Sequence, residues 1–259
     1  MIKNLTVLIF THNEEKNIND CLKSAKKLTS NIIVIDSQST DKTLTIVKKE
    51  KIPFYTFSYQ LYVEPARDFG IEKAKTEWVF ILDADERITD KLKQEIDEVI
   101  STCAVGRDLI GGYKIPRKNI FLGQWLKHGG WWPDYQIRLI NKKFFVVWPK
   151  EIHSSPVIKG EIKLLKNPLL HLQHQGFEEM VKKTIIFEEI ESQLLFQAKK
   201  QVNTLTFFKK FLGELYRRLI KNMGFLDGEI GIIEAIYQAF SKTITYLFLY
   251  EKYQKSRSL

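Results

Sequence analysis

Two aspartates spaced one apart, Asp83 and Asp85, close the run WVFILDADER from Trp78 to Arg87. A strand ending in alternating carboxylates offers hard oxygen ligands at a sheet edge, the donor set that Mg²⁺ or Mn²⁺ takes when it carries a diphosphate. Such a triplet also recurs by chance, and acidic strand ends are commonly solvated loop residues, so its meaning depends on context. Two upstream runs supply that context. Leu5 to Phe10 is apolar and stops at THNEE, and Asn31 to Ile35 is apolar and stops at DSQSTD.

Both runs are short and rich in Val and Ile, and each is followed by polar residues and then a helical pattern. The reading is strand, loop, helix, repeated, which predicts a parallel, doubly wound sheet. After the first run, Ile18, Cys21, Leu22, Ala25 and Leu28 recur at helical spacing. Asn13 is expected as the N-cap there, with Glu14 and Glu15 in the first turn. After the second, Leu44, Ile46 and Val47 follow Ser39, Thr40 and Asp41, which read as cap and first-turn residues. In open α/β sheets ligands sit beyond the carboxyl ends of the strands, where strand order reverses. Asn13, Glu14, Asp36, Asp41, Asp83 and Asp85 are therefore expected to gather around a nucleotide sugar.

The segments THNEEKNINDCL, IIVIDSQSTDKT, EPARDFGIEKAKTEWVFILDADE and GGWWPDYQIRLI together resemble a family 2 glycosyltransferase of the GT-A fold. The resemblance is greatest to bacterial lipopolysaccharide-core enzymes that add glucose or a related sugar. It implies an α/β fold with a Rossmann-like mixed central sheet flanked by helices, and a helical C-terminal region. Residues 1–175 would be the catalytic domain, with a nucleotide-sugar half at 1–105 and an acceptor half at 106–175, and 176–259 an amphipathic helical region. By the same resemblance Asp36 reads the base, usually uracil, and Glu14 holds the ribose region. Asp83 would sit near ribose and donor sugar and share the metal, and Asp85 would ligate Mg²⁺ or Mn²⁺ directly. Thr11 and His12 lie in the nucleotide loop. Two departures stand out: Ser37 follows Asp36 where many members have a second acid, and Asp68 follows Arg67 where Asn is common. Arg67 still suits the diphosphate or a site carboxylate, because a planar fork matches both.

Inverting sugar transfer needs a carboxylate to take the proton of the acceptor hydroxyl as it attacks. Asp134 is the candidate base, since it follows the aromatic pair Trp131 and Trp132 and matches the acidic position of the family's acceptor loop; its other reading is a turn residue after Pro133. Arg138 is placed on the acceptor side, paired with Asp134 or phosphate, or facing solvent as an alternating strand residue. His153 is a second acceptor-side candidate, although Ser154 stands where Glu is often found. His171, at the end of the run NPLLHL, is the best match to the late histidine that completes the metal shell in some GT-A enzymes. A buried, hydrogen-bonded histidine is the alternative for each.

With 259 residues and 44% hydrophobic content, the chain can bury a large α/β core. Cys21 and Cys103 make no disulfide framework, Cys21 being expected in the core, and the strand directly after MIKN leaves no room for a signal peptide. A cytoplasmic setting is expected. The net charge of +9 lacks any nucleic-acid-binding signature, so no nucleic-acid partner is expected. From Thr204 the pattern turns helical: Phe207, Phe208, Phe211, Leu212, Leu215, Tyr216 and Leu219 form a stripe beside Lys209, Lys210, Arg217, Arg218 and Lys221. A second stretch runs from Ile230 to Tyr250, and the basic tail EKYQKSRSL is expected to fray. Neither stretch has the roughly 18 uninterrupted apolar residues of a spanning helix. They suit an anionic membrane surface, or else pack internally. The composite expectation is a membrane-peripheral inverting enzyme on the inner face of the cytoplasmic membrane. It would use UDP-glucose or a close relative and a lipid-linked saccharide acceptor; alternatives are a polyprenyl phosphate acceptor, or an inactive nucleotide-sugar-binding scaffold.

Overall fold

The computed structural model describes residues 1–103, 109–173 and 176–257, and the Cys103 side chain, His174 and the expected domain boundary at Gln175 lie outside the described residues. Strand β1 (Leu5–Thr11) leads to helix α1 (Ile18–Lys26), β2 (Ile32–Asp36), α2 (Thr43–Lys49), β3 (Phe54–Thr56), α3 (Glu64–Lys73) and β4 (Trp78–Asp83). These strands are parallel in the order β3-β2-β1-β4. The chain winds outward from β1 through β2 to β3 and then returns to the other side of β1 with β4. That reversal between β1 and β4 is the switch point at which an open sheet binds ligands.

Beyond β4 the sheet becomes mixed. Next come β5 (Glu86–Ile88), α4 (Asp90–Cys103), β6 (Ile110–Phe121), β7 (Gln124–Trp125) and β8 (Asp134–Asn141). The chain then forms β9 (Phe145–Val147), β10 (Val157–Ile158), β11 (Glu161–Leu164) and β12 (Leu169–Gln173). Strand β8 lies antiparallel to both β4 and β6, and β12 runs antiparallel to β5. The mixed central sheet flanked by helices matches the GT-A expectation.

Both faces of β1 are buried, which is why its sequence is mostly apolar, with Thr6 the one polar residue before its end at Thr11. Leu5, Val7 and Ile9 pack with Ile18, Leu22 and Ala25 of α1, while Leu8 and Phe10 pack with Ala66 and Ile71 of α3. Helix α3 comes so close that a Cβ on Gly70 would lie 2.9 Å from the Phe10 ring. Cys21 is buried in the first of these layers, and burial pushes its thiol pKa well up.

Residues divide into two compact units: Met1–Lys118 with Asp134–His171, and Asn119–Pro133 with Leu172–Leu259. The second holds α5 (Phe177–Gln197), α6 (Thr204–Tyr216), a π-helical turn (Arg217–Lys221), a 3-10 turn (Gly224–Asp227) and α7 (Gly228–Arg257). Helix α7 packs against both α5 and α6. It continues to Arg257, so the part of the tail expected to fray is helical as far as that residue. Lys255 pairs with Glu251 one turn earlier at 2.6 Å, a contact that supports the last turns. No helix of the described residues is long and apolar enough to cross a membrane.

Candidate active site

Register brings the motif residues level. Thr11 pairs with Asp36 across β1 and β2, and Phe10 with Asp83 across β1 and β4, so three adjacent parallel strands deliver Thr11, Asp36 and Asp83 to one edge. Asp36 is fully buried and accepts hydrogen bonds from the Ser39 backbone N–H at 3.0 Å and the Ser39 hydroxyl at 2.6 Å. This turn fixes the carboxylate and reverses the chain. Thr11 is also buried, and among the described residues its hydroxyl has no hydrogen-bond partner.

Asn13 does not cap α1. It sits at φ 54°, a left-handed conformation Asn tolerates, and its Oδ1 accepts the Thr40 N–H at 2.7 Å. Asn13 thereby latches the loop after β1 to the loop after β2, and the N-cap position of α1 is Asn17, four residues past the expected one. Glu14 donates its N–H to the Thr43 hydroxyl at 2.8 Å, and its Oε2 accepts from Asn17 at 2.7 Å. Asp41 accepts from the backbone N–H groups of Glu15 at 3.0 Å and Thr43 at 2.9 Å. Burial is the largest single influence on Asp41 and raises its pKa, but those bonds and one from the Thr43 hydroxyl together outweigh it and leave the pKa lowered. His12 is held by Ser37 O at 2.6 Å with its ring 4.2 Å from Tyr59.

Beneath the D-x-D turn lies a chain of charge of which the sequence suggested only the pairing of Arg67 with a site carboxylate. Asp83 receives Arg67 Nη2 on both oxygens at 3.1 Å and Arg138 Nη2 at 2.6 Å. Arg138 also donates to the fully buried Glu86 at 2.6 Å, and Glu86 accepts the Asp83 N–H at 3.0 Å. Burial alone would raise the Asp83 pKa, but the guanidinium groups of Arg138 and Arg67 hold it well below the usual carboxylate range. Burial works against charge on Arg138 too, yet Asp83 and Glu86 drive its pKa upward; Arg67, with less compensation, is lowered by burial. Arg138 was expected on the acceptor side, in solvent or paired with Asp134. It is instead buried against Asp83 and Glu86, because β8 lies beside β4 and turns this residue inward.

The guanidinium at Asp134 belongs to Arg117, whose Nε and Nη2 lie 2.8 and 2.6 Å from Asp134 Oδ2, while Gln136 donates to Oδ1 at 2.9 Å. Cross-strand pairing of Arg117 with Asp134 in β6 and β8 sets this contact. Arg117 also reaches Glu86 at 3.8 Å, so Asp134 is joined through Arg117 and Glu86 to Asp83. A cavity of about 270 Å³ opens beside Asp83 and Arg117, lined also by Glu64, Arg67, Arg138 and His153 among others. The Trp148 ring lies 4.8 Å from the Arg67 guanidinium. Asp68, standing where Asn was expected, accepts the Trp148 N–H at 2.9 Å and so fixes this wall of the cavity. His153 is at φ 60° and donates its backbone N–H to Glu64 at 2.9 Å.

Asp85 and His171 meet on the other side of the turn, Nε2 lying 3.4 Å from Oδ2. They meet because β12 pairs His171 with Glu86, next to Asp85 in sequence. Arg87 holds the turn by donating to Ala84 O at 2.7 Å and Asn17 O at 3.0 Å. Among the described residues no group of three or more His, Cys, Asp and Glu side chains would hold a metal unaided. One carboxylate and one imidazole nonetheless fit a divalent ion that takes its remaining ligands from a diphosphate and water, Mn²⁺ accepting nitrogen more readily than Mg²⁺. Asp83, expected as a further ligand, has its oxygens turned to two guanidinium groups.

Trp131 and Trp132 belong to the second unit. Trp131 packs with Phe121, Leu126 and Met180, under the Arg218 guanidinium at 5.3 Å, and Trp132 meets Trp125 edge-on at 5.3 Å. The Trp131 ring is therefore part of a packed cluster. In the same unit Asp227 fixes the loop before these residues, accepting from the N–H groups of Lys127 at 2.9 Å and His128 at 2.8 Å.

The profile of the family described as Glycosyl transferase family 2 matches residues 6–153. The lipopolysaccharide core biosynthesis glycosyltransferase LpsC of Rhizobium meliloti is 24% identical over 264 residues, covering 96% of this chain and 93% of that protein. An uncharacterized glycosyltransferase of Rickettsia typhi is 25% identical over 273 residues, covering 100% of this chain and 90% of that one. Among solved structures, S. aureus TarS 1-349 in complex with UDP-GlcNAc aligns with a TM-score of 0.47 at 16% identity, over 97% of this chain and 92% of that one. A likeness that distant says nothing about the site.

Proposed function

The chain belongs to glycosyl transferase family 2, and on that premise we propose that it is an inverting, metal-dependent transferase. It moves a hexose, glucose or a close relative, from a uridine diphosphate sugar to a lipid-anchored saccharide. The observation that carries this reading is the arrangement of Asp36 and Asp83 at the ends of β2 and β4, the two strands flanking β1, with Asp85 in the turn after β4 and Asp134 coupled to Asp83 through Arg117 and Glu86. Asp36 and Glu14 fix the nucleoside, while Thr11, Asn13 and Asp41 shape its loop. Asp83 and Arg67 face the sugar and diphosphate across the cavity. Asp85 and His171 would hold Mg²⁺ or Mn²⁺, which when bound supplies Lewis-acid stabilisation of diphosphate charge.

Asp134 accepts the proton of the acceptor hydroxyl as that oxygen attacks the anomeric carbon. The bond from that carbon to the diphosphate oxygen breaks on the opposite face, so configuration inverts. Arg117 and Gln136 hold the two oxygens of the Asp134 carboxylate in place between β6 and β8. His153 is proposed to contact the acceptor, and the relative's role in lipopolysaccharide core synthesis supports a lipid-anchored saccharide as that acceptor. Such an acceptor places the work of the enzyme at the inner face of the cytoplasmic membrane.

The test compares radiolabelled sugar transfer from UDP-glucose to a soluble core oligosaccharide and to a polyprenyl phosphate. Transfer to the oligosaccharide with inverted configuration supports the reading. Transfer to the isoprenoid phosphate alone replaces the acceptor, and donor binding without any transfer makes the chain a nucleotide-sugar-binding scaffold.

A further inference from the structure

The aromatic and aliphatic stripe of α6 divides between two faces. Phe207, Phe211, Leu215 and Leu219 are half-buried, whereas Leu205, Phe208, Leu212, Tyr216 and Ile220 point outward. Phe208 is 62% exposed, Leu212 59% and Tyr216 61%. These five recur every three or four residues, so they line one side of the helix through the π-helical turn. The line is about 22 Å long at 1.5 Å per residue. Past the turn, Phe225 and Leu226 are also exposed. A soluble helix normally turns its apolar stripe inward and its polar face to water; here the side facing away from α7 is apolar as well.

Charge on this segment has one sign. Lys209, Arg217 and Lys221 are exposed along it, and the one acidic residue between Thr204 and Lys221, Glu214, is largely buried and bonded to Arg217 and Arg218. Arg217 retains 48% side-chain exposure in that pair. An outward apolar line with a cationic rim and no exposed acid is complementary to a surface with hydrocarbon below and negative headgroups above. A protein partner would need acidic residues around an apolar groove, and this chain at +9 does not favour a second copy of itself.

We propose that the outward face of Leu205–Ile220 is a docking surface for anionic lipid, with Phe208, Leu212 and Tyr216 entering the headgroup boundary and Lys209, Arg217 and Lys221 contacting headgroups. This deepens the membrane-face part of the proposed function by naming the surface, and it stands on the exposure and charge of one helix. In this proposal the apolar line along α6 faces the lipid along its length, so the helix lies along the membrane surface.

The test is vesicle flotation of the full-length protein with phosphatidylcholine alone and with phosphatidylcholine containing 30% phosphatidylglycerol, a composition chosen as roughly that of an anionic leaflet. Wild type floats with the anionic vesicles and much less with the neutral ones. Leu212→Asp and Phe208→Asp each weaken flotation by about tenfold or more, as expected for losing one large apolar contact and placing a carboxylate against headgroups. Lys209→Glu weakens it by a smaller factor that vanishes at high salt. Both apolar sites are exposed, and circular dichroism melting of each variant confirms that the fold is kept. No flotation of wild type, or equal flotation of wild type and Leu212→Asp, overturns the proposal. So does a concentration-dependent dimer in sedimentation that Leu212→Asp dissolves, which makes the face a self-contact. Nucleotide-sugar binding by calorimetry without vesicles reports separately on the enzyme reading.

Discussion

Replacing Glu86 with Gln removes one charge from a buried chain in which charges balance. Arg67, Arg117 and Arg138 contribute three positive charges, and Asp83, Glu86 and Asp134 three negative ones, all linked by direct contacts. Glu86 is fully buried and accepts from Arg138 at 2.6 Å and from the Asp83 N–H at 3.0 Å through different oxygens. A Gln has one carbonyl oxygen, so one of these two donors loses its acceptor, and Arg138 is left with an uncompensated share of buried charge. Breaking a buried pair by removing one partner costs about 3–5 kcal/mol, and the hydrogen bond that Gln keeps restores about 1 kcal/mol. The expected loss is therefore about 3 kcal/mol. With an m value near 3 kcal/mol/M the urea midpoint falls by about 1 M at unchanged slope. Because the Asp83 backbone loses its anchor or Arg138 swings, donor affinity falls in the same variant even under conditions where it is fully folded. A midpoint within 0.2 M of wild type, roughly 0.6 kcal/mol on the same slope, together with unchanged donor affinity refutes the assignment of Glu86 as the link between the two halves of the site.

Other residues give independent tests. Asp134→Asn is expected to lower kcat by about 10²- to 10⁴-fold, the usual contribution of a positioned base, while leaving nucleotide-sugar Kd within about twofold; steady-state kinetics and calorimetry separate the two. The lowered folded-state pKa of Asp41 means that its ionised form stabilises the protein above the unfolded value near 4, and that this stability is lost as pH falls through the folded value. Asp41→Asn should thus be less stable than wild type at pH 7, and the gap should narrow as pH falls below the unfolded value near 4 and through the lowered folded value; a gap in thermal melts that is unchanged between pH 7 and the acid limit of folding contradicts the assignment. Cys21, buried with a raised pKa, should resist alkylation by iodoacetamide at pH 8 in the folded protein and react on denaturation, as followed by peptide mapping.

The strands were legible because their residues are buried on both faces. A run such as Leu5 to Phe10 has one polar position, Thr6, and lacks the alternation of a strand with a solvated face, as suits a central parallel strand. Strand ends were legible for the same reason: the change from apolar to THNEE, DSQSTD and DADER marks where the chain leaves the sheet. The local role of Asn13 was not, because capping a following helix and latching a distant loop draw on the same side-chain chemistry, and only the register of β1 with β2 chooses between them. Arg138 and Glu86 were misplaced or missed because sequence spacing shows no pairing across strands. The antiparallel neighbours β6 and β8 are far from the D-x-D turn in sequence, and their register decides that Arg138 meets Asp83 while Arg117 meets Asp134. Periodicity identified α6 as amphipathic, but with apolar residues on both sides of the helix it could not tell which would face α7.

The most direct measurement is turnover of a panel of nucleotide diphosphate sugars by the purified protein, with Mn²⁺, with Mg²⁺ and with EDTA, alongside Asp85→Ala. The expected result is release of UDP from one uridine diphosphate sugar, dependent on divalent metal and abolished by Asp85→Ala. If no nucleotide sugar is turned over and none binds at millimolar concentration, the gathering of Asp36, Asp83 and Asp85 at the strand ends is not a donor site, and the central claim fails.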